Sequence, residues 1–322
     1  MIMTFEVVDG RLVREIPPTV SARSVWIDLV DPTPEEDASV EEALGIEIPT
    51  RAEAREIEAS SRLYRENGAS YMTAYVVYHT ESQAPDGATV TFVLTPERLV
   101  TIRYPGSRAF PIYAARAAKG EVECTSATHI LLGIIETIID RAADRIERSQ
   151  DEIEIIARGI FGTPLNRRAH SKRLDEMLRN VGRQGDITAR LEESAFSLER
   201  LLAFLTIHLR EQPDSASAVA RSKLARRDIR SLTDQMRFLM DRTTFLLDAT
   251  LGAISIEQNK SMKVFSVLAV TLMPPTLIAG IYGMNFKNMP ELDFPYGYPA
   301  TLVLMVLAGI VPYLVFRWRG WI

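Results

Sequence analysis

Two stretches of the chain are apolar without period. Residues 264–286 and 294–316 carry no formal charge. As a helix each reaches roughly 34 Å, enough for a hydrocarbon core of about 30 Å. The pattern predicts two membrane spans, about 264–284 and 298–316, joined by a polar loop about 285–297. Two buried core helices would carry the same pattern, but such a pair in tandem is rare in soluble folds.

Upstream the patterning changes twice. Residues 1–125 are mixed in character. "SVWIDLVDPTPEE" predicts a strand ending at Asp31, a proline turn and an acid-rich helix start. "ASYMTAYVVYH" has the β-branched and aromatic bias of a strand. "TVTFVLTPERLVTIRYP" predicts a hairpin turning at 95–98. From Ser126 the apolar positions recur every 3.6 residues among charges. One helix breaks near 159–164, and a second runs to about Arg210, ahead of Gln212 and Pro213. A third begins near Ser217 and meets no turn signal before Pro274. Continued over 217–283 it would be roughly 100 Å long. Pro274 and Pro275 should bend it rather than end it, because flanking membrane helices can satisfy the freed carbonyls. Such a rod would couple a soluble part to a span. The expected organisation is an α+β cytoplasmic domain over 1–125, with a mixed sheet and flanking helices. A helical region follows over 126–262, with a stalk from about 217, then a transmembrane region over 263–322.

Charge orients this plan. Lys260 and Lys263 precede the first span, and Arg317 and Arg319 follow the second. The loop sets Lys287 against Glu291 and Asp293. The excess of basic residues puts both termini in the cytoplasm and the loop outside. Trp318 and Trp321 stand where an aromatic belt would be. The N-terminal "MIMTFEVVDG" lacks a basic stretch followed by an apolar run, so no cleaved signal peptide is expected. A net charge of −5 gives no reason to expect a nucleic-acid partner. The single cysteine, Cys124, and His79, His129, His170 and His208 lie in separate elements and predict no zinc site. No phosphate loop, nucleophile elbow or ligand cluster suggests an enzyme or a cofactor.

Steps of three and four along the first span pick out Asn259, Met262, Ser266, Ala269, Met273, Thr276, Gly280 and Gly283. Most are small, polar or flexible, while Val264, Leu268, Leu272, Leu277 and Ile281 lie between them. Such a stripe lets helices pack closely, or it lines a water-filled lumen. One polar face encloses nothing alone, so a pore needs several copies around an axis. Steps of seven back along the same stripe reach Asp248, Asp241 and Asp234. In a parallel bundle these would be stacked carboxylate rings that attract cations; otherwise they are a solvated face.

"MPPTLIAGIYGMNF" closing the first span, "MPELDFPYGYP" after it, and then a second span with a basic end resemble the CorA family of magnesium and cobalt transporters. "IEQNKSMKVFSV" and "SARSVWIDLVDPTPEE" are similar to it as well. The likeness spans the whole architecture and identifies Gly283, Met284 and Asn285 with the family's Gly-Met-Asn signature. It implies a funnel-shaped homopentamer in the cell's inner membrane, with the first span lining the pore. It also implies influx of Mg²⁺, with Co²⁺ and Ni²⁺ as secondary ions, closed by cytoplasmic Mg²⁺ at a regulatory site that the sequence does not mark. A zinc-transporting branch, the ZntB type, is the alternative; it usually has Ile where this chain has Met284. Mg²⁺ sheds water reluctantly, so a pore does best to receive the hydrated ion. An Asn285 ring would offer neutral amide oxygens to metal-bound water, whereas a carboxylate ring would hold the ion too well. Glu291 and Asp293 would concentrate cations without ligating them. Met262, Phe265 and Met273 are candidate apolar constrictions, with Phe265 one position off the strict stripe.

Overall fold

The computed structural model describes all residues except 56–61, 80–84, 105–106, 163–166, 214, 285–288, 290–294 and 321–322. Seven strands form one sheet: β1 (Ile2–Val8), β2 (Arg11–Arg14), β3 (Ser24–Val30), β4 (Leu63–Glu66), β5 (Ala69–His79), β6 (Pro85–Leu94) and β7 (Leu99–Arg103). Their order is β2-β1-β3-β7-β6-β5-β4. Only β3 and β7 run parallel; every other neighbouring pair is antiparallel. The predicted turn at 95–98 is the tight link between β6 and β7, with the Thr95 amide donating to the Arg98 carbonyl.

The central strands are buried at both parities because each face is covered. On one face Ile27, Leu29, Val93, Val100 and Ile102 pack with Val40, Ile46 and Ile48. Val40 belongs to α1 (Pro34–Leu44), the helix announced by "DPTPEE". Its start is a capping box. Glu36 N–H donates to Thr33 Oγ1, Thr33 N–H donates to Glu36 Oε2, and Pro34 sits where no amide is needed.

The other face meets α2 (Ala109–Ala118) and α3 (Ala127–Phe161). Trp26 stacks on Phe5 and meets the edge of Tyr113, and Phe92 lies over Phe110. Tyr113 presses against α3 so closely that a Cβ at Gly133 would lie 2.3 Å from its ring. A charged pair sits within this apolar layer. Arg103 donates to both Asp28 oxygens at 2.8–3.1 Å, Thr101 Oγ1 donates to Asp28 at 2.8 Å, and Trp26 Nε1 donates to Thr101 at 2.9 Å. Asp28 is 1% exposed, so these bonds replace its hydration.

Two further long helices follow: α4 (Arg167–Arg210) and α5 (Ala216–Tyr282). The apolar stripe of α5, from Ala225 through Ile229, Met236, Leu239 and Leu246, is buried. Ion pairs of Arg221 with Glu136, Arg242 with Glu154 and Arg230 with Glu199 tie α5 to α3 and α4. The last helix is α6 (Gly297–Trp318).

Contacts divide the chain into two units. One is Met1–Phe161 with Arg179–Leu247; the other is Gly162–Leu178 with Asp248–Ile322. Helix α5 contributes to both and is continuous for 67 residues, Pro274 and Pro275 included.

Candidate functional site

The second unit holds the two apolar helical segments. Both are long and apolar enough to cross a membrane, and only 6% of the apolar window in α5 and none of that in α6 is buried. A soluble core helix would be enclosed by its neighbours; these expose nearly every large side chain.

Helix α6 begins at Gly297, two residues before Pro299 and one residue ahead of the span expected from about 298. Within the first turn a proline lacks only an amide that has no helical partner, so it starts a helix well. The two helices approach at Gly309, where a Cβ would lie 3.6 Å from both Pro275 Cγ and the Thr271 carbonyl oxygen. That carbonyl is one of the two that α5 loses as acceptors, because Pro274 and Pro275 carry no N–H for Val270 and Thr271. A Cβ there would make ordinary van der Waals contact, so the helices meet closely at this turn without requiring glycine.

The stripe picked out by spacing is exposed along its length: Asn259, Met262, Ser266, Ala269, Met273, Thr276, Gly280 and Gly283 all face outward. Phe265, the off-phase member, is exposed too. Ala269, Met273, Thr276, Gly280 and Met284 share one open apolar groove with Leu272, Leu277 and Ile281. The groove is therefore wider than the stripe. Neighbours at 100° per residue flank it on both sides, so bulky residues form its shoulders. Asn259, Met262, Phe265 and Ser266 do not line it. The hydroxyls of the stripe are satisfied along the helix: Ser266 donates to Met262 O at 2.9 Å and Thr276 to Leu272 O at 2.8 Å. Each hydroxyl oxygen keeps acceptor capacity towards the open side.

Helix α5 closes with the Gly283 amide on Ala279 O at 2.9 Å, and the Met284 amide then reaches Ile281 O at 3.2 Å in a tighter turn. A Cβ on Gly283 would stand 3.0 Å from Ala279 O, a tight contact that a larger residue would have to relieve by a small shift. Asn285, Glu291 and Asp293 lie outside the described residues.

Of the acid series, Asp248 belongs to the second unit, and Asp241 and Asp234 to the first. All three are exposed. Asp234 has Arg237 at 3.7 Å one turn on. Asp241 and Asp248 have no ion-pair partner among the described residues.

Comparison with known proteins agrees with this arrangement. Residues 21–318 match the family model of the CorA-like Mg²⁺ transporter protein. The chain belongs to the CorA family. Its similarity to the magnesium transport protein CorA of Escherichia coli K12 is 35% identity, covering 100% of both chains. The CorA of Pasteurella multocida is 36% identical over the same full extent. Among solved structures, the complete CorA magnesium transporter of Methanocaldococcus jannaschii shares the fold with a TM-score of 0.74 at 18% identity, over 100% of this chain and 99% of that one. The ZntB cytoplasmic domain of Vibrio parahaemolyticus is a more distant match in fold, with a TM-score of 0.56 over 80% of this chain. The CorA fold accounts for the mixed sheet, the long helix and the two C-terminal apolar helices together.

Proposed function

We propose that this CorA protein is a channel for Mg²⁺, with Co²⁺ and Ni²⁺ as secondary ions, and not an enzyme. The observation that carries this reading is the Gly-Met-Asn sequence placed at the exit of an apolar, outward-facing helix, in a chain related end to end to magnesium transport proteins. Several copies, five by the family resemblance, surround an axis in the inner membrane with their termini in the cytoplasm. The exposed stripe from Asn259 to Gly283 faces that axis, and α6 lies outside it.

Asn285 forms the filter at the outer mouth. Its amide oxygens accept hydrogen bonds from the water around the ion, so little dehydration is required. Glu291 and Asp293 raise the cation concentration at the entrance. Met262, Phe265 and Met273 narrow the path with apolar rings that close by expelling water. Cytoplasmic Mg²⁺ closes the pore by bridging acids of neighbouring copies, a state it favours by binding it more tightly. Magnesium is preferred to zinc as cargo because Met284 and the full-length relatives point that way.

The experiment is Mg²⁺ uptake by vesicles containing the purified protein. Asn285→Ala should abolish uptake while leaving the oligomer's mass and thermal unfolding unchanged. Uptake at the wild-type rate in this variant would remove the amide ring from the account.

A further inference from the structure

The ends of the two spans opposite the Gly-Met-Asn sequence carry charge that the proposed pore does not use. Helix α5 has Lys260 and Lys263 there, and α6 has Arg317 with Arg319 just after it. All four are exposed, and none has an ion-pair partner among the described residues. The acid closest in sequence to Lys260, Glu257, stands a turn further from the span, and α6 holds no acid.

The contact at Gly309 sets their depths. Lys263 lies eight residues back from Thr271 and Arg317 eight residues on from Gly309, so each is about 12 Å from the contact along its helix. Lys260 and Arg319 follow at about 16 Å and about 15 Å. Spans joined by one external loop run in opposite directions, so these distances point to the same side. The four cations share one layer about 5 Å deep. Helix phase gathers them around the seam between the helices. Lys260 is eleven residues, close to three turns, from Thr271, which puts it on the side of α5 that meets α6. Lys263 lies between that side and the line of Asn259, Met262 and Ser266, so neither lysine is on the stripe. Arg317 and Arg319 fall roughly 80° to either side of Gly309. Just inside this layer Val264, Leu268, Leu314 and Val315 are exposed and apolar. Trp318 is 86% exposed, and its ring and N–H suit the boundary between hydrocarbon and water.

We propose that this seam binds an anionic phospholipid of the inner leaflet, one whose phosphate charge no headgroup amine cancels. Arg317 and Arg319 donate charge-assisted hydrogen bonds to the phosphate, and Lys260 and Lys263 add their attraction. The acyl chains lie along the apolar residues above. Four like charges at the edge of a hydrocarbon layer repel one another, and this headgroup offsets them. An inorganic anion would leave the apolar surface uncovered, and a neutral lipid would leave the charge uncompensated. Such binding requires α5 and α6 to cross the membrane as proposed and is independent of the ion carried.

The test is native mass spectrometry of the full-length protein in detergent, without divalent ions. The protein is given equal amounts of phosphatidylglycerol and phosphatidylcholine with the same acyl chains. The wild type and the control Arg14→Gln, on β2, should retain more phosphatidylglycerol. Lys263→Gln and Arg317→Gln should each lower that preference by about fivefold, and together by about 25-fold. If the double variant fails to assemble, which the same spectra show, the single variants decide. Equal retention of the two lipids by the wild type, or an unchanged preference in the variants, overturns the proposal. No ion flux is read, so a wild type that prefers phosphatidylglycerol yet carries no Mg²⁺ would refute the channel and leave the lipid site standing.

Discussion

Asp28 and Arg103 show what one buried pair demands of its surroundings. Both carboxylate oxygens are occupied by Arg103 or Thr101, and Thr101 is held in turn by Trp26. Asp28→Asn would leave Arg103 buried without its counter-charge. Removing one partner of such a pair costs about 3–5 kcal/mol. Thermal unfolding in detergent should show a large drop for Asp28→Asn and a smaller one for the double change Asp28→Leu with Arg103→Met. An unchanged melting temperature in Asp28→Asn would mean that the pair contributes nothing. His208 makes a different prediction. Burial lowers its pKa below the ordinary 6.5, and nearby Arg65 lowers it further, against the pull of Glu211. The unfolded chain therefore takes up a proton before the folded one does. The resulting stability is complete above pH about 6.5 and is lost as pH falls from there through the folded value. Melting temperatures between pH 8 and 5 should fall more steeply in the wild type than in His208→Gln; parallel curves would contradict this.

At the scale of elements, the acid series on α5 gives a graded expectation. Asp248 continues the phase of the stripe, whereas a straight helix drifts about 20° per heptad from a 3.5-residue repeat. Asp234 also has Arg237 beside it, which offsets its charge. With cysteines at these positions, a thiol reagent applied from the cytoplasmic side should reduce Mg²⁺ flux strongly at 248 and weakly at 234. The reverse order would make the series a solvated face only. The long elements were legible in the sequence because their signals are local: 3.6-residue periodicity, the break at Gln212 and Pro213, and the uncharged runs. The strand "ASYMTAYVVYH" coincides with β5 from Ala69 to His79. What escaped depends on partners distant in the chain. The short β1, β2 and β4 are strands because they find neighbours in the sheet, not because their own residues insist on it. The groove of the second unit was half legible: its floor follows the stripe, but its shoulders, Leu272, Leu277 and Ile281, read as a separate face.

For the molecule as a whole, the second unit sets the terms. Its apolar side chains stand exposed along α5 and α6, and the described residues of a single chain do not cover them. Lipid suits the bulky residues. A stripe with Asn259, Ser266 and Thr276 suits other copies or water better. Mass measurement in detergent should therefore find a symmetric oligomer, five chains if the family's assembly holds, and an active monomer would refute it. The paired prolines add a mechanical property to that assembly. A helix resists bending largely because bending must stretch its hydrogen bonds. At Pro274 and Pro275 two of those bonds were never made, so there is less to stretch. Below this point α5 is an unbroken ladder; at it, the same rod is compliant. A small tilt of the lower part would concentrate into an angle at one turn, beside Met273 and Thr276, instead of spreading along the span.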